Sequence, residues 1–258
     1  MPSKQVTDKE KSARHVSSTA NTQGDQAAAA VEDVLSRYLA SGEKMPDLKL
    51  LFGLVSRGID ATAQAMTLAD QKHESELGDD QGPRDARDTA ADEVGAVLAD
   101  LRDGLSTGYG RATVGLFGLG GTLPTDPSVV GALGSSVLAR LESGDVQLPP
   151  ARRKKALTVN LEEFAKELKE QLPALQTALA DVKREEAEAA ATLHAKRAAS
   201  TEYDAAFTRG ATFLSAAFAL GGLDDLATKV RPSRRRPGRT EEPVEEPPAG
   251  GGAATPEP

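Results

Sequence analysis

The chain has no cysteine and no tryptophan, three histidines, and no long apolar run. Each absence narrows what it can do. Without cysteine there is no disulfide, no thiolate nucleophile and no sulfur ligand. Such a composition suits a reducing compartment, so a cytoplasmic location is expected. With only His15, His73 and His194, nitrogen ligands for a metal are scarce. A Ser-His-Asp constellation would have to recruit His73 or His194. The zinc spacing His-x-x-x-His does not occur, and Asp70-x-x-His73 has no matching Glu-x-x-His, which a carboxylate-bridged centre would need. His73 and His194 are therefore weak metal candidates. No cofactor and no enzymatic reaction are expected.

The opening "MPSKQVTDKEKSARHVSS" carries charge but no apolar h-region, so no signal peptide is expected. "ATFLSAAFALGGL" (Ala211 to Leu223) is the most apolar stretch. It falls short of the roughly 20 apolar residues of a membrane span. A formal net charge of −8 weighs against general nucleic-acid binding.

What remains is alanine, leucine, valine and charge. Aromatics make up 3% of the 258 residues, so any core is aliphatic. Residues of this kind lose little rotamer freedom in helices, and strand alternation is nearly absent. The expected fold is all-α: an elongated antiparallel, coiled-coil-like helical bundle with one very long C-terminal helix. Residues 1–24 read as a disordered tail, 25–230 as the bundle, and 231–258 as a second tail, rich in Arg and Pro, then in Glu, Pro and Gly.

The spacing predicts a first helix from Asp25 to Leu39, with Asp25 as N-cap. A second starts near Pro46, with a seam at Leu48, Leu51, Val55, Ile59, Thr62, Met66, Ala69, His73 and Leu77. A third runs from Arg84 to Phe117. Asp126 caps a short helix from Pro127 to Leu141. The last spans Asn160 to Leu220 without an obvious turn signal, with Pro173 inside it; the alternative is a break near "ASTEY", where Ser200 or Thr201 would cap a new helix. The hairpin of the second and third helices is expected to pack along this long helix. "LADQKHE" (Leu68 to Glu74) echoes "LADVKRE" (Leu179 to Glu185), and "YGRATVGLFGLGG" (Tyr109 to Gly121) echoes "FTRGATFLSAAFALGG" (Phe207 to Gly222). The two separations differ by 13 residues. Duplication and chance in an alanine-rich chain both account for that.

Two features are candidates for interaction. On one continuous helix, Gly104, Gly108, Gly115 and Gly118 would fall within about 80° of one another, a smooth stripe for close approach of another backbone. That backbone is either the alanine-rich end of the long helix or a separate partner, including a second copy. The basic clusters are Arg152, Arg153, Lys154 and Lys155, and Arg231, Arg234, Arg235, Arg236 and Arg239. Clustered arginine binds phosphate, but neither cluster carries an aromatic for base stacking. From Arg231 to the end, five arginines face five glutamates. The leading expectation is a non-enzymatic scaffold or adaptor that binds protein or itself. The alternatives are an accessory binder of nucleic acid or an anionic membrane surface, and a small-ligand or metal-binding bundle.

Overall fold

The computed structural model describes residues 3–79, 81–144, 146–151 and 159–241. Its elements are α1 (Lys4–Leu35), a 3-10 turn (Ser36–Tyr38), α2 (Leu48–Asp79), α3 (Gln81–Gly108), α4 (Arg111–Leu116), α5 (Pro127–Ser143), α6 (Leu161–Leu220) and α7 (Asp224–Lys229). No strand occurs among the described residues, only an isolated bridge between Pro232 and Thr240. The fold is all-α, as the periodicity predicts. No helix among the described residues is long and apolar enough to cross a membrane.

α6 is one helix of 60 residues with Pro173 inside it. Glu162 and Glu163 in its first turn complement the partial positive charge of a helix N-terminus. It ends where Gly222 adopts φ 74° and the Leu223 amide donates to the Phe218 carbonyl at 2.9 Å. Glycine reaches that left-handed conformation without a Cβ penalty. Asp126 caps α5 as expected, accepting from the Ser128 and Val129 amides at 3.0 and 3.1 Å.

The chain divides into two compact units. The described residues up to Glu74 and from Thr192 onward form one, and Ser75–Ala191 form the other. In the first, α1, α2 and the second half of α6 make a three-helix bundle. α1 and α2 are antiparallel: the Ser3 amide donates to Asp70 Oδ2 at 2.7 Å, Ser17 Oγ donates to Asp60 Oδ1 at 2.6 Å, and Lys49 pairs with Asp25 at 2.6 Å. α2 and α6 are antiparallel too. Phe52 meets Phe213 and Phe218 at centroid distances of 6.1 and 5.9 Å, and Lys196 meets Asp70 at 2.7 Å. At Gly210 α6 lies close against α2. A Cβ there would stand 2.8 Å from Ile59 Cδ1 and 3.0 Å from Val55 Cγ1.

The helix expected from Asp25 begins at Lys4 instead. Its buried positions include Val6, Lys9, Ala13, Val16, Ala20, Gly24, Ala27 and Val31, which recur every three or four residues. Half of these are alanine or glycine, and one is a lysine stem, so the stretch reads as polar although it has a seam. Asp25 lies within this helix and does not cap it.

Residues 231–241, expected to be tail, fold back onto the same unit. The Ser233 amide donates to the Arg239 carbonyl at 2.7 Å and the Glu241 amide to the Arg231 carbonyl at 3.0 Å, closing a small hairpin. Gly238 turns at φ 74°. A Cβ there would collide with the Asp204 carboxylate and the Tyr203 ring. The Tyr203 hydroxyl lies 2.9 Å from the Gly238 carbonyl and 2.8 Å from that of Lys9, so one proton serves two acceptors. Burial, then the neighbouring Asp204 carboxylate, push this hydroxyl far above its ordinary pKa. It therefore stays a donor across the physiological range. Residues 242–258 lie outside the described part of the chain.

In the second unit, α5 packs between α3 and the first half of α6. A Cβ at Gly134 would stand 3.0 Å from Leu172 Cδ2 and 3.1 Å from Val94 Cγ1. The helix expected from Arg84 to Phe117 breaks at Gly110, which adopts φ 99°. Its echo, Phe207 to Leu220, is unbroken helix, so the two similar stretches adopt different backbones.

Candidate interaction surface

α2 carries two seams. Its inner face buries Phe52, Ser56, Ile59, Ala63, Met66, Asp70 and His73, at alternating steps of four and three residues. Moved two residues along, the same rhythm continues through Leu54, Gly58, Ala61, Ala65, Leu68 and Lys72, with Asp47 and Leu51 ahead of them. All eight of these positions are exposed. Two residues is about 200° of helical turn, so the second seam lies opposite the first. Leu51, Leu54 and Leu68 are 40%, 52% and 65% exposed, whereas Phe52 and Ile59 are 1% exposed. Leu50 is also half exposed beside this stripe. Between Leu50 and Lys72 no acidic side chain is fully exposed on the helix.

The seam expected for this helix mixes the two faces. Leu48, Val55, Ile59, Met66 and His73 belong to the inner side, but Leu51 and Leu77 are exposed. Phe52, not Leu51, enters the core. Gly58 sits at the middle of the outer seam, and a Cβ added there would meet nothing within 4 Å. Each glycine inside a helix costs roughly 1 kcal/mol against alanine. Gly210 spends that cost on a close approach within the chain; Gly58 has no such use there.

The expected glycine stripe does not form. Gly104 and Gly108 lie on α3, Gly115 on α4, and Gly118 beyond it at φ 80°, with the break at Gly110 between the pairs. A Cβ at Gly104 would stand 3.3 Å from Val159, and one at Gly118 would stand 3.4 Å from Arg140 Nη1. Arg140 in turn donates to the Leu116 carbonyl at 2.7 Å. Gly108 is buried, and a Cβ at Gly115 would meet nothing within 4 Å. The residues Gly104-Leu105-Ser106-Thr107-Gly108 have the spacing of a nucleophile elbow. They end a helix that no strand precedes, so the strained strand-to-helix turn is missing. Ser106 lines a cleft of about 620 Å³ with Arg102, Arg111 and Gly120, and no histidine lines it.

The histidines are not brought together as ligands. His73 Nδ1 is 3.0 Å from Thr192 Oγ1, and both are buried; His194 is exposed. Among the described residues the acids that converge within 4.8 Å are Glu76, Glu185 and Glu188. Arg184 pairs with Glu185 at 3.0 Å and Glu188 at 3.8 Å, which offsets their charge. The C-terminal arginines divide. Arg239 is half-buried and pairs with Asp8 at 3.1 Å, and Arg236 is half-buried. Arg231, Arg234 and Arg235 are exposed. Arg152, Arg153, Lys154 and Lys155 lie outside the described residues.

Two ionic groups hold the first unit together, and sequence reasoning missed both. Lys9 is buried, 2.6 Å from Asp204 Oδ1 and 2.9 Å from Ser200 Oγ. Asp70 is fully buried, 2.7 Å from Lys196 and bonded to the Ser3 amide. Burial alone would raise the Asp70 carboxyl. The bonds from Lys196 and Ser3 outweigh that and hold it below its ordinary value.

Comparison with protein-family models, with curated proteins and with solved structures gives no match.

Proposed function

We propose that this protein is a non-enzymatic helical scaffold that binds another helix along the outer face of α2, in a reducing, cytoplasmic setting. The observation that carries this reading is the exposed seam from Asp47 to Lys72. It keeps a coiled-coil step of four and three over its whole length. An exposed apolar stripe with the rhythm of a buried one costs solubility unless a partner covers it. Small residues at Gly58, Ala61 and Ala65 let a second backbone approach, and leucines flank them to fill the ends. The absence of cysteine supports the compartment. The hairpin at 231–241 supports a structural role for that segment, because its glycine and one of its arginines are engaged with α1 and α6.

The test is a Leu54→Glu, Leu68→Glu double variant. Both side chains are exposed, so helical content, and the melting temperature in solutions too dilute for association, should stay near those of the parent. Association with a helical partner should fall at least tenfold, since two charges would be desolvated on binding. A variant that keeps every association of the parent would overturn the assignment of this face.

A further inference from the structure

The order of residues along the outer seam is self-complementary, and this extends the reading just given. Asp47, Leu51, Leu54 and Gly58 precede a point between Ile59 and Asp60; Ala61, Ala65, Leu68 and Lys72 follow it. The two sets are equally spaced from that point. When two copies of such a helix run antiparallel about it, Gly58 lies level with Ala61 of the other copy, and Leu54 with Ala65. Leu51 lies level with Leu68, and Asp47 with Lys72. We infer that the partner of α2 is α2 of a second copy of this chain, paired antiparallel about a two-fold axis at Ile59–Asp60.

Three features favour a second copy over an unrelated helix. Small faces small at the centre, so the backbones approach closely where Gly58 has no packing partner of its own. Each Leu54 fills the space left by an alanine, and leucines close the seam at both ends. The charges at the two ends are opposite, and an isologous contact places each acid against a base twice over. A parallel pair would instead set Asp47 against Asp47 and Lys72 against Lys72. The seam from Asp47 to Lys72 is about 37 Å long, comparable to a short coiled-coil dimer.

The chain has no cysteine, so cysteines introduced on the outer seam report pairing without background. Leu54→Cys and Ala65→Cys proteins, mixed and oxidised, should give a crosslinked pair, while neither alone should crosslink. In the antiparallel register two copies of position 54 lie about 16 Å apart along the axis, far beyond disulfide reach. Equilibrium sedimentation of the parent should give twice 26.9 kDa. Lys72→Glu should weaken the dimer about tenfold, and Asp47→Lys added to it should recover most of that loss. Because Asp47 also accepts from the Leu50 amide at the start of α2, the double variant is compared with Asp47→Lys alone. Crosslinking of Leu54→Cys by itself would overturn the antiparallel register. A parent that stays at 26.9 kDa at every concentration would overturn self-pairing altogether. If that monomer still loses a helical partner in the Leu54→Glu, Leu68→Glu variant, the scaffold reading stands and only the identity of the partner falls.

Discussion

The two faces of α2 share a rhythm and have opposite surroundings. The inner one packs against α1 and α6 through Phe52, Ile59, Ala63 and Met66. The outer one offers Leu51, Leu54, Gly58, Ala61, Ala65 and Leu68 to solvent. Periodicity measures that a helix has an apolar face. It does not measure whether the chain itself supplies the cover. Size separates the two only in part: the inner seam sets Phe52, Ile59 and Met66 between the small Ser56 and Ala63, whereas the outer one carries only Gly58, Ala61 and Ala65 between Leu54 and Leu68.

The comparison breaks most sharply at Phe52. Phe52→Ala removes a fully buried ring that touches both Phe213 and Phe218. It should destabilise the fold by about 3–5 kcal/mol. Leu54→Ala, two residues along, should change the stability of dilute protein by no more than about 0.5 kcal/mol. Chemical denaturation of both, measured at low concentration so that association does not contribute, checks the contrast. Equal losses would show that the outer face is core after all.

A second contrast lies at the end of the inner seam, where the apolar residues give way to Asp70 and His73. Asp70 is held below its ordinary carboxyl pKa by Lys196 and the Ser3 amide. A group whose folded pKa is depressed adds stability that is complete above its unfolded value, 3.8, and is lost as pH falls through the lower folded value. Asp70→Ala should cost on the order of 2 kcal/mol at neutral pH, because Lys196 and the Ser3 amide lose a buried acceptor. The loss should shrink as the parent is acidified below about pH 4. Denaturation of parent and variant at pH 7 and pH 3 reads both effects. A loss of the same size at both pH values would show that the ionised carboxylate contributes nothing.

How much of this was legible in the sequence depends on the size of the residues that bear the signal. The long helix from Asn160 and the Asp126 cap follow from leucine spacing and local capping. α1 before Asp25 does not, because Lys9, Ala13, Ala20 and Gly24 make a seam that is small and partly polar. The hairpin at 231–241 escapes for another reason. Its composition is that of a disordered segment, and what holds it is a set of long-range contacts: Tyr203 to Gly238, and Arg239 to Asp8. No local pattern encodes these. Nor does local sequence show the break at Gly110, since glycine is also found inside helices, as at Gly104 and Gly210. The candidate surface was within reach. It required asking which apolar positions of α2 remained after one face had been assigned to the core.

The finest contrast is between two glycines, Gly210 on α6 and Gly58 on α2. Both lie inside helices, and alanine gains roughly 1 kcal/mol over glycine at such a position if nothing else changes. At Gly210 the new methyl would stand 2.8 Å from Ile59 Cδ1 and 3.0 Å from Val55 Cγ1. Those side chains would have to shift, at about 1–3 kcal/mol, so Gly210→Ala should be neutral to destabilising. At Gly58 the methyl meets nothing of its own chain, so Gly58→Ala should stabilise the dilute protein by about 0.5–1 kcal/mol. The same methyl would sit at the centre of the antiparallel pair, where it widens the approach of the two backbones. Gly58→Ala should therefore raise the melting temperature of dilute protein while weakening the dimer. A glycine kept only for the sake of the monomer could not divide its effects in that way.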